Sequence, residues 1–280
     1  MIVNRIQLGP DTPVVMGILN VTPDSFYNKG RQSAFEEIMK NAGRMVDQGA
    51  SILDVGGQST RPSSTVISPG EELARVLPVM KELRKNFPSV ILSIDTYWSR
   101  VAEECIRAGA DMINDISGGE LDPGIMDVSA TYDKTYICTH MQGTQQTMQL
   151  NPVYSDVTKE VINFFEHKIN SLTQKGVKNI LIDPGFGFGK TLAHNYTLLN
   201  DLDLFTSFGK PVLAGLSRKS MVYKPIGSNS EKALNGTTAL NMIALQKGTS
   251  VLRVHDVREA MECIQLHHIL QENKSIRLSQ

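Results

Sequence analysis

One phrase recurs through this chain and restricts what it can fold into. It is a glycine, four to six mostly apolar residues, a charged or amide side chain, and then usually a glycine or proline. It reads GASILDVGG from Gly49, GADMINDISG from Gly109, GVKNILIDPG from Gly176 and GTSVLRVHD from Gly248. The glycine suits the left-handed residue that ends a preceding helix. The apolar run is short enough for a strand buried on both faces. Related units, PVVMGILNVTPD, SVILSIDT, KTYICTHM and KPVLAGLSRKS, lie between these and bring the candidate strands to eight. Amphipathic stretches separate them. Ser33–Gln48 spaces Phe35, Ile38, Met39, Ala42, Met45 and Val46 at three- and four-residue intervals, and Ser155–Gln174 and Glu259–Gln271 read alike. Eight strand–helix units with no linker or low-complexity run predict an α/β fold, a (β/α)8 TIM barrel, as a single domain over residues 1–280. A doubly wound open sheet suits eight such strands less well.

In a barrel of this kind the C-terminal strand ends and the loops after them build the active site. Read together, those ends carry Asn20, Asp95, Asn114, His140, Asp183, Ser217, Arg218, Lys219, Arg253 and His255, with the polar run DVGGQSTRPSS after the second strand. The opposite ends show mainly Gly, Ser, Lys and Asn. Any one of these polar residues could simply cap a helix or sit in solvent, but ten converging on one rim point to a site. Ser59, Thr60, Arg61, Ser217, Arg218, Lys219, Arg253 and His255 offer hydroxyls and cations, the donors expected for an anionic, phosphate-bearing substrate. Asp95, Asp183 and Asn114 can face a flat heterocycle with adjacent N–H groups, where a carboxylate accepts two parallel bonds.

Other readings of the same residues fail or stay open. DPGFGFGKT has Pro184 where a P-loop needs its first glycine, and its glycines are misplaced for a dinucleotide fingerprint. It is read as the loop after the sixth strand. Phe186 is expected to pack down on the barrel, while for Phe188 packing and ligand contact stay open. Lys219 is read as a hydrogen-bonding cation rather than a Schiff base, because no apolar pocket is evident around it. His140 is expected to be a neutral, internally satisfied histidine, and His255 an anion contact. His167, His194, His267 and His268 fall on helices as surface residues. Basic and acidic residues balance, 28 against 29, so no global field draws in nucleic acid or an anionic membrane. No basic stretch leading into a long apolar run opens the chain, and no segment approaches the roughly 18 apolar residues of a membrane span. Cys105, Cys138 and Cys263 are scattered, form no CxxC pair and fit a reducing cytoplasm as apolar packing residues.

Eight stretches in order now identify a resemblance. MGILNVTPDSF (16–26), DVGGQSTRP (54–62), SIDT (93–96), NDI (114–116), HMQG (140–143), LIDPGFGFGK (181–190), SRKS (217–220) and RVHD (253–256) resemble the dihydropteroate synthase family of folate biosynthesis across almost the whole chain. The resemblance implies condensation of 6-hydroxymethyl-7,8-dihydropterin diphosphate with 4-aminobenzoate, with Mg²⁺ assisting. It implies a pterin clamp of Asp95, Asn114, Asp183 and Lys219, with Met141 over the pterin face. It implies that Asn20, Thr60, Arg61, Arg253 and His255 meet the diphosphate, with Asn20 also at the metal. It places Thr60, Pro62, Phe188, Ser217 and Phe26 at 4-aminobenzoate, with Ser59 nearby. Asp95, Lys219, Arg253 and Arg61 then stand as the catalytic set. Cleavage of a C–O bond beside an electron-rich ring needs no protein nucleophile, since positive charge spreads into the dihydropterin and negative charge falls on cations. One departure stands out: Gln58 occupies the position where the family usually has Glu. A pterin-dependent methyltransferase would not need the STRP and SRKS motifs, and a non-catalytic pterin-binding protein should lack some of the loop residues. The last two helices carry Leu240, Ile243, Leu245, Met261, Ile264, Leu266 and Ile269, more apolar residues than one inner face needs, which predicts a homodimer through that region.

Overall fold

A computed structural model describes residues 1–21, 31–58 and 66–273. The chain opens with a hairpin, Ile2–Val3 paired antiparallel with Ile6–Gln7. Asn4 and Arg5 both have positive φ at its two-residue turn, which matches the right-handed twist of the flanking strands. Eight parallel strands follow: β1 (Val14–Asn20), β2 (Ile52–Gly56), β3 (Ile91–Asp95), β4 (Met112–Asp115), β5 (Thr135–Thr139), β6 (Ile180–Asp183), β7 (Leu213–Ala214) and β8 (Val251–Val254). They lie in the order β6-β5-β4-β3-β2-β1-β8-β7, and a bridge between Ile182 and Val212 closes β6 onto β7. The predicted barrel is therefore the observed one.

The helices are α1 (Arg31–Asp47), α2 (Pro69–Asn86), α3 (Ser99–Arg107), α4 (Gly124–Thr131), α5 (Val157–Gln174), α6 (Leu192–Asn200), α7 (Leu234–Gln246) and α8 (Val257–Glu272), with one extra turn at Ser220–Tyr223. Their starts follow from local chemistry. Ser68 caps α2 by accepting from the Glu71 amide, with Pro69 in the first turn, and Asp156 caps α5 by accepting from Lys159. The repeated glycines Gly49, Gly109, Gly176 and Gly248 all have positive φ where a helix hands over to a strand, as the recurring phrase predicts.

Alternation along the strands sets what the barrel interior contains. One residue from each strand, Met16, Ile52, Ile91, Met112, Ile137, Leu181, Leu213 and Val251, forms a buried apolar floor, and Val3 and Leu8 of the N-terminal hairpin segment plug it from below. Two residues further along, the inward positions change character to Asp54, Ser93, Asn114, Thr139, Asp183 and Arg253. The larger apolar cluster lies between strands and helices and includes Cys105, Cys138 and Cys263, all buried and free. His267 is buried on α8, not at the surface as its place in the helix pattern predicts, because α8 turns that side inward with Cys263 and Ile264.

Candidate active site

The polar layer is wired across the barrel. Asp54 is fully buried, and its Oδ2 accepts from Asn114 Nδ2 at 2.9 Å and from Arg253 Nε at 2.7 Å. Arg253 Nη2 donates to Asp95 Oδ2. One guanidinium thus holds two carboxylates, and Asp54 Oδ1 has no protein hydrogen-bond partner. Burial pushes Asp95 above the ordinary carboxylate range; Arg253 opposes that shift and Asp54 adds to it. Burial works against the charge on Arg253, but Asp54 and Asp95 outweigh it and hold Arg253 as a cation.

β6 and the loop after it furnish the second half. Asp183 Oδ1 accepts from the Gly185 amide at 2.8 Å. Burial raises the Asp183 pKa, against the pull of Lys219. The Lys219 ammonium donates to the Phe186 carbonyl and sits 4.5 Å from the centre of the Phe188 ring. Burial pushes Lys219 down to about 8, with Asp183 resisting. Phe186 is fully buried, as expected. Phe188 joins Tyr97, Ile116 and Met148 in a small apolar cluster against which Met141 and Trp98 pack. Phe188 thus packs at the barrel mouth, 8% exposed.

Ser217 and His255 face each other from β7 and β8, with Oγ 3.0 Å from Nδ1, and the His255 amide also donates to Ser217 Oγ. Burial, then Arg253 and Arg218, hold His255 down to about 4, so its ring is neutral near pH 7. Arg218, grouped with the rim in the sequence, is not brought into the site. It stands at φ 57, donates its amide to Thr237 and forks onto Asp256 at 2.9 and 2.6 Å. That pairing also commits Asp256, the carboxylate next to His255, to Arg218. His140 is buried and neutral, lowered to about 2 first by burial and then by Lys190, in line with the sequence reading. Asn20 ends β1 opposite Gly56 and is exposed at the rim.

Phe26, Ser59, Thr60, Arg61 and Pro62 lie outside the described residues. What is visible is the root of the segment holding the last four. Gln58 is buried, its Nε2 donates to Tyr97 Oη and Gln145 Oε1, both at 2.8 Å, and its Oε1 accepts from the Ile67 amide at 3.4 Å. One side chain therefore ties residues after β2, β3 and β5 together. A carboxylate there has no N–H to give Gln145 Oε1 and could only accept from that amide once it turned over, which is the physical content of the Glu-to-Gln departure. Three participants escaped the sequence reading: Asp54, whose partner is 199 residues away, Lys190, and Glu72. Glu72, in the first turn of α2, is buried beneath Gly57, accepts from Thr96 Oγ1 at 2.9 Å and is pushed up to about 7, chiefly by burial.

Comparison with known proteins agrees with this geometry. The family model described as pterin binding enzyme matches residues 16–255. The dihydropteroate synthase of Escherichia coli (strain K12) is 42% identical over 256 residues, 91% of this chain and 90% of its own. The crystal structure of the Yersinia pestis dihydropteroate synthase in a sulfonamide drug complex superposes with a TM-score of 0.91 at 39% identity, covering 97% of this chain and 99% of that one. The dihydropteroate synthase from Xanthomonas albilineans in complex with 7,8-dihydropteroate gives 0.85 at 36% identity, covering 95% and 96%.

Proposed function

We propose how the barrel mouth works in a chain that belongs to the pterin-binding enzymes and, within them, to the dihydropteroate synthases: it is a transferase that condenses 6-hydroxymethyl-7,8-dihydropterin diphosphate with 4-aminobenzoate to give 7,8-dihydropteroate and diphosphate. The observation that carries the division of labour is the wired layer Asp54–Asn114–Arg253–Asp95 beside Asp183 and Lys219. Asp183 presents an open Oδ2 to the N–H edge of the pterin, and Asn114 and Lys219 present further donors and acceptors. Asp95 lies where positive charge develops as the C–O bond breaks, and it stabilises that charge without reorganising because Arg253 already holds it. Arg253 Nη1, together with His255, Thr60 and Arg61, receives the diphosphate. Phe188 and Ser217, with Pro62 and Phe26, shape the place for 4-aminobenzoate, and Met141 covers the pterin.

The fit to Mg²⁺ rests on donor chemistry. Among the described residues no group of three or more His, Cys, Asp or Glu side chains is arranged to hold a metal. Asn20 supplies one exposed hard oxygen at the rim, and Mg²⁺ characteristically takes few protein oxygens and completes its shell with phosphate and water. When bound, the ion would neutralise charge on the leaving diphosphate.

Ser217 and His255 resemble a nucleophile–base pair in distance alone. Among the described residues His255 has no acidic orienter, since Asp256 is committed to Arg218, so the pair serves binding rather than attack. Incubation of the purified chain with the pterin diphosphate, Mg²⁺ and isotope-labelled 4-aminobenzoate should yield labelled dihydropteroate; label that stays in free 4-aminobenzoate would defeat the assignment. The chain also works as a homodimer in the cytoplasm on this reading. Ile243 on α7 with Leu266, Ile269 and Leu270 on α8 are exposed on adjoining helices, whereas Leu240, Leu245 and Ile264 belong to the core. The buried, unpaired cysteines suit a reducing compartment, and no helix among the described residues is long and apolar enough to cross a membrane. A monomer mass by light scattering at micromolar concentration would contradict the dimer.

A further inference from the structure

The loop after β6 has no regular structure, yet six successive carbonyls in it accept side-chain hydrogen bonds. Lys190 Nζ donates to Gly185 O and Phe188 O, both at 3.0 Å; Lys219 donates to Phe186 O; Gln149 to Gly187 O; Tyr154 to Gly189 O at 2.9 Å; and Asn195 to Lys190 O at 3.3 Å. Lys190 is 3% exposed and sits at the centre of the coil. Its nitrogen also lies 2.8 Å from His140 Nδ1 and 3.3 Å from His140 O. The surrounding backbone leaves no slack. Gly185 is at φ 74, and a Cβ there would stand 1.9 Å from the His140 carbonyl oxygen. Three carbonyls and one imidazole nitrogen therefore converge on one point, which the three protons of a lysine ammonium suit; burial lowers Lys190 to about 7 and Asp183 resists that shift. With the ammonium as donor, His140 accepts at Nδ1 and carries its proton on Nε2.

We propose that Lys190 is a positioning residue for the reaction: its ammonium acts as the internal cation of the loop, holding Phe188 over Lys219 and so shaping the 4-aminobenzoate side of the mouth. The function of Phe188 at that substrate rests on the reading above. The Asp183 backbone is anchored in the barrel, its carbonyl accepting from the His140 amide at 3.0 Å, and only the Oδ1 bond to the Gly185 amide ties its side chain to this loop. Removing the ammonium should therefore act on the second substrate more than on the pterin. It should also leave a vacant cation site that a small cation can enter.

The test compares Lys190→Ala with Lys190→Met, in ammonium chloride and in tetramethylammonium chloride at equal ionic strength. Steady-state kinetics give one readout and hydrogen exchange of residues 185–190 another. For Lys190→Ala in tetramethylammonium, the KM for 4-aminobenzoate should rise about tenfold, with affinity for the pterin diphosphate within about twofold of the parent. Exchange in the loop should accelerate. Ammonium should reverse both changes in Lys190→Ala but not in Lys190→Met, whose stem fills the site. Unchanged KM and exchange would overturn the proposal, as would changes that both salts leave alike. Failure of both variants to fold in either salt would make Lys190 a requirement of the fold and overturn the positioning function. Loop exchange that ammonium restores, with KM never moved, would uphold Lys190 and instead remove Phe188 from the 4-aminobenzoate site.

Discussion

Replacing Asp54 with Ala tests the wiring of the mouth through stability. Asp54 is fully buried, and its Oδ2 serves both Asn114 and Arg253. The substitution strips Arg253 of one of its two carboxylates and leaves the Asn114 amide with an unpaired donor. Breaking a buried ion pair from one side costs about 3–5 kcal/mol, and an orphaned buried donor adds about 1–3 kcal/mol. Asp95 still holds Arg253 and Asp54 Oδ1 had no partner to lose, so the lower end applies, about 3–4 kcal/mol. At roughly 2–4 °C per kcal/mol for a chain of this size, the midpoint should fall by about 10 °C. Asp54→Asn keeps an acceptor for both donors and should cost less, about 1–3 kcal/mol. The double variant Asp54→Ala with Arg253→Met removes the uncompensated cation and should recover much of the loss, so the two changes should be strongly non-additive. Urea unfolding of these three and of Arg253→Met alone, followed by circular dichroism, completes the cycle. A cost below about 1 kcal/mol for Asp54→Ala, or additivity in the double variant, would refute the claim that Arg253 is held as a shared counter-ion.

Further consequences concern the clamp and the buried acid under the loop root. Asp183→Asn should weaken a pterin lacking diphosphate by about 2–3 kcal/mol, the worth of a charge-assisted pair, while magnesium diphosphate binding changes little; calorimetry showing equal pterin affinity would remove Asp183 from the clamp. Glu72 holds its proton in the fold up to about pH 7 but loses it near 4.5 when unfolded. Its contribution to stability is thus full below about pH 4.5 and lost as the pH climbs through about 7. Glu72→Gln should accordingly gain on the parent between pH 5 and 8, by up to about 3 kcal/mol; parallel stability curves would contradict burial of the neutral acid. Ser217→Ala should raise the KM for 4-aminobenzoate and keep kcat within about tenfold, whereas loss of a nucleophile would cost several orders of magnitude.

The barrel was legible because its signal is local. Each strand is a short apolar run closed by a polar residue, and the period-two alternation that places Ile52 in the floor also places Asp54 above it. Asn114, Asp183 and Arg253 were readable as strand-end polar residues for the same reason. What a strand end cannot show is its partner. Asp54 looks like the start of a loop until β8, 199 residues on, brings Arg253 beside it. Arg218 stands between Ser217 and Lys219 in sequence, but a left-handed backbone turn hands it to Asp256 instead of the mouth. Lys190 was read only against phosphate-loop templates, because a lysine that folds its own loop leaves no periodic pattern. His267 shows the same limit on a helix, where both faces of α8 carry apolar residues and the pattern does not say which one turns inward.

On the proposed reading, the mouth separates pterin and diphosphate as charged fragments without a protein nucleophile. Positional isotope exchange tests this directly. Pterin diphosphate labelled with ¹⁸O at the bridging position to carbon is incubated with the enzyme and Mg²⁺, without 4-aminobenzoate, and recovered. Label should scramble into the non-bridging oxygens in the parent and in Ser217→Ala alike. Label that stays fixed in both would contradict cleavage ahead of amine attack, and scrambling lost only in Ser217→Ala would make Ser217 the nucleophile.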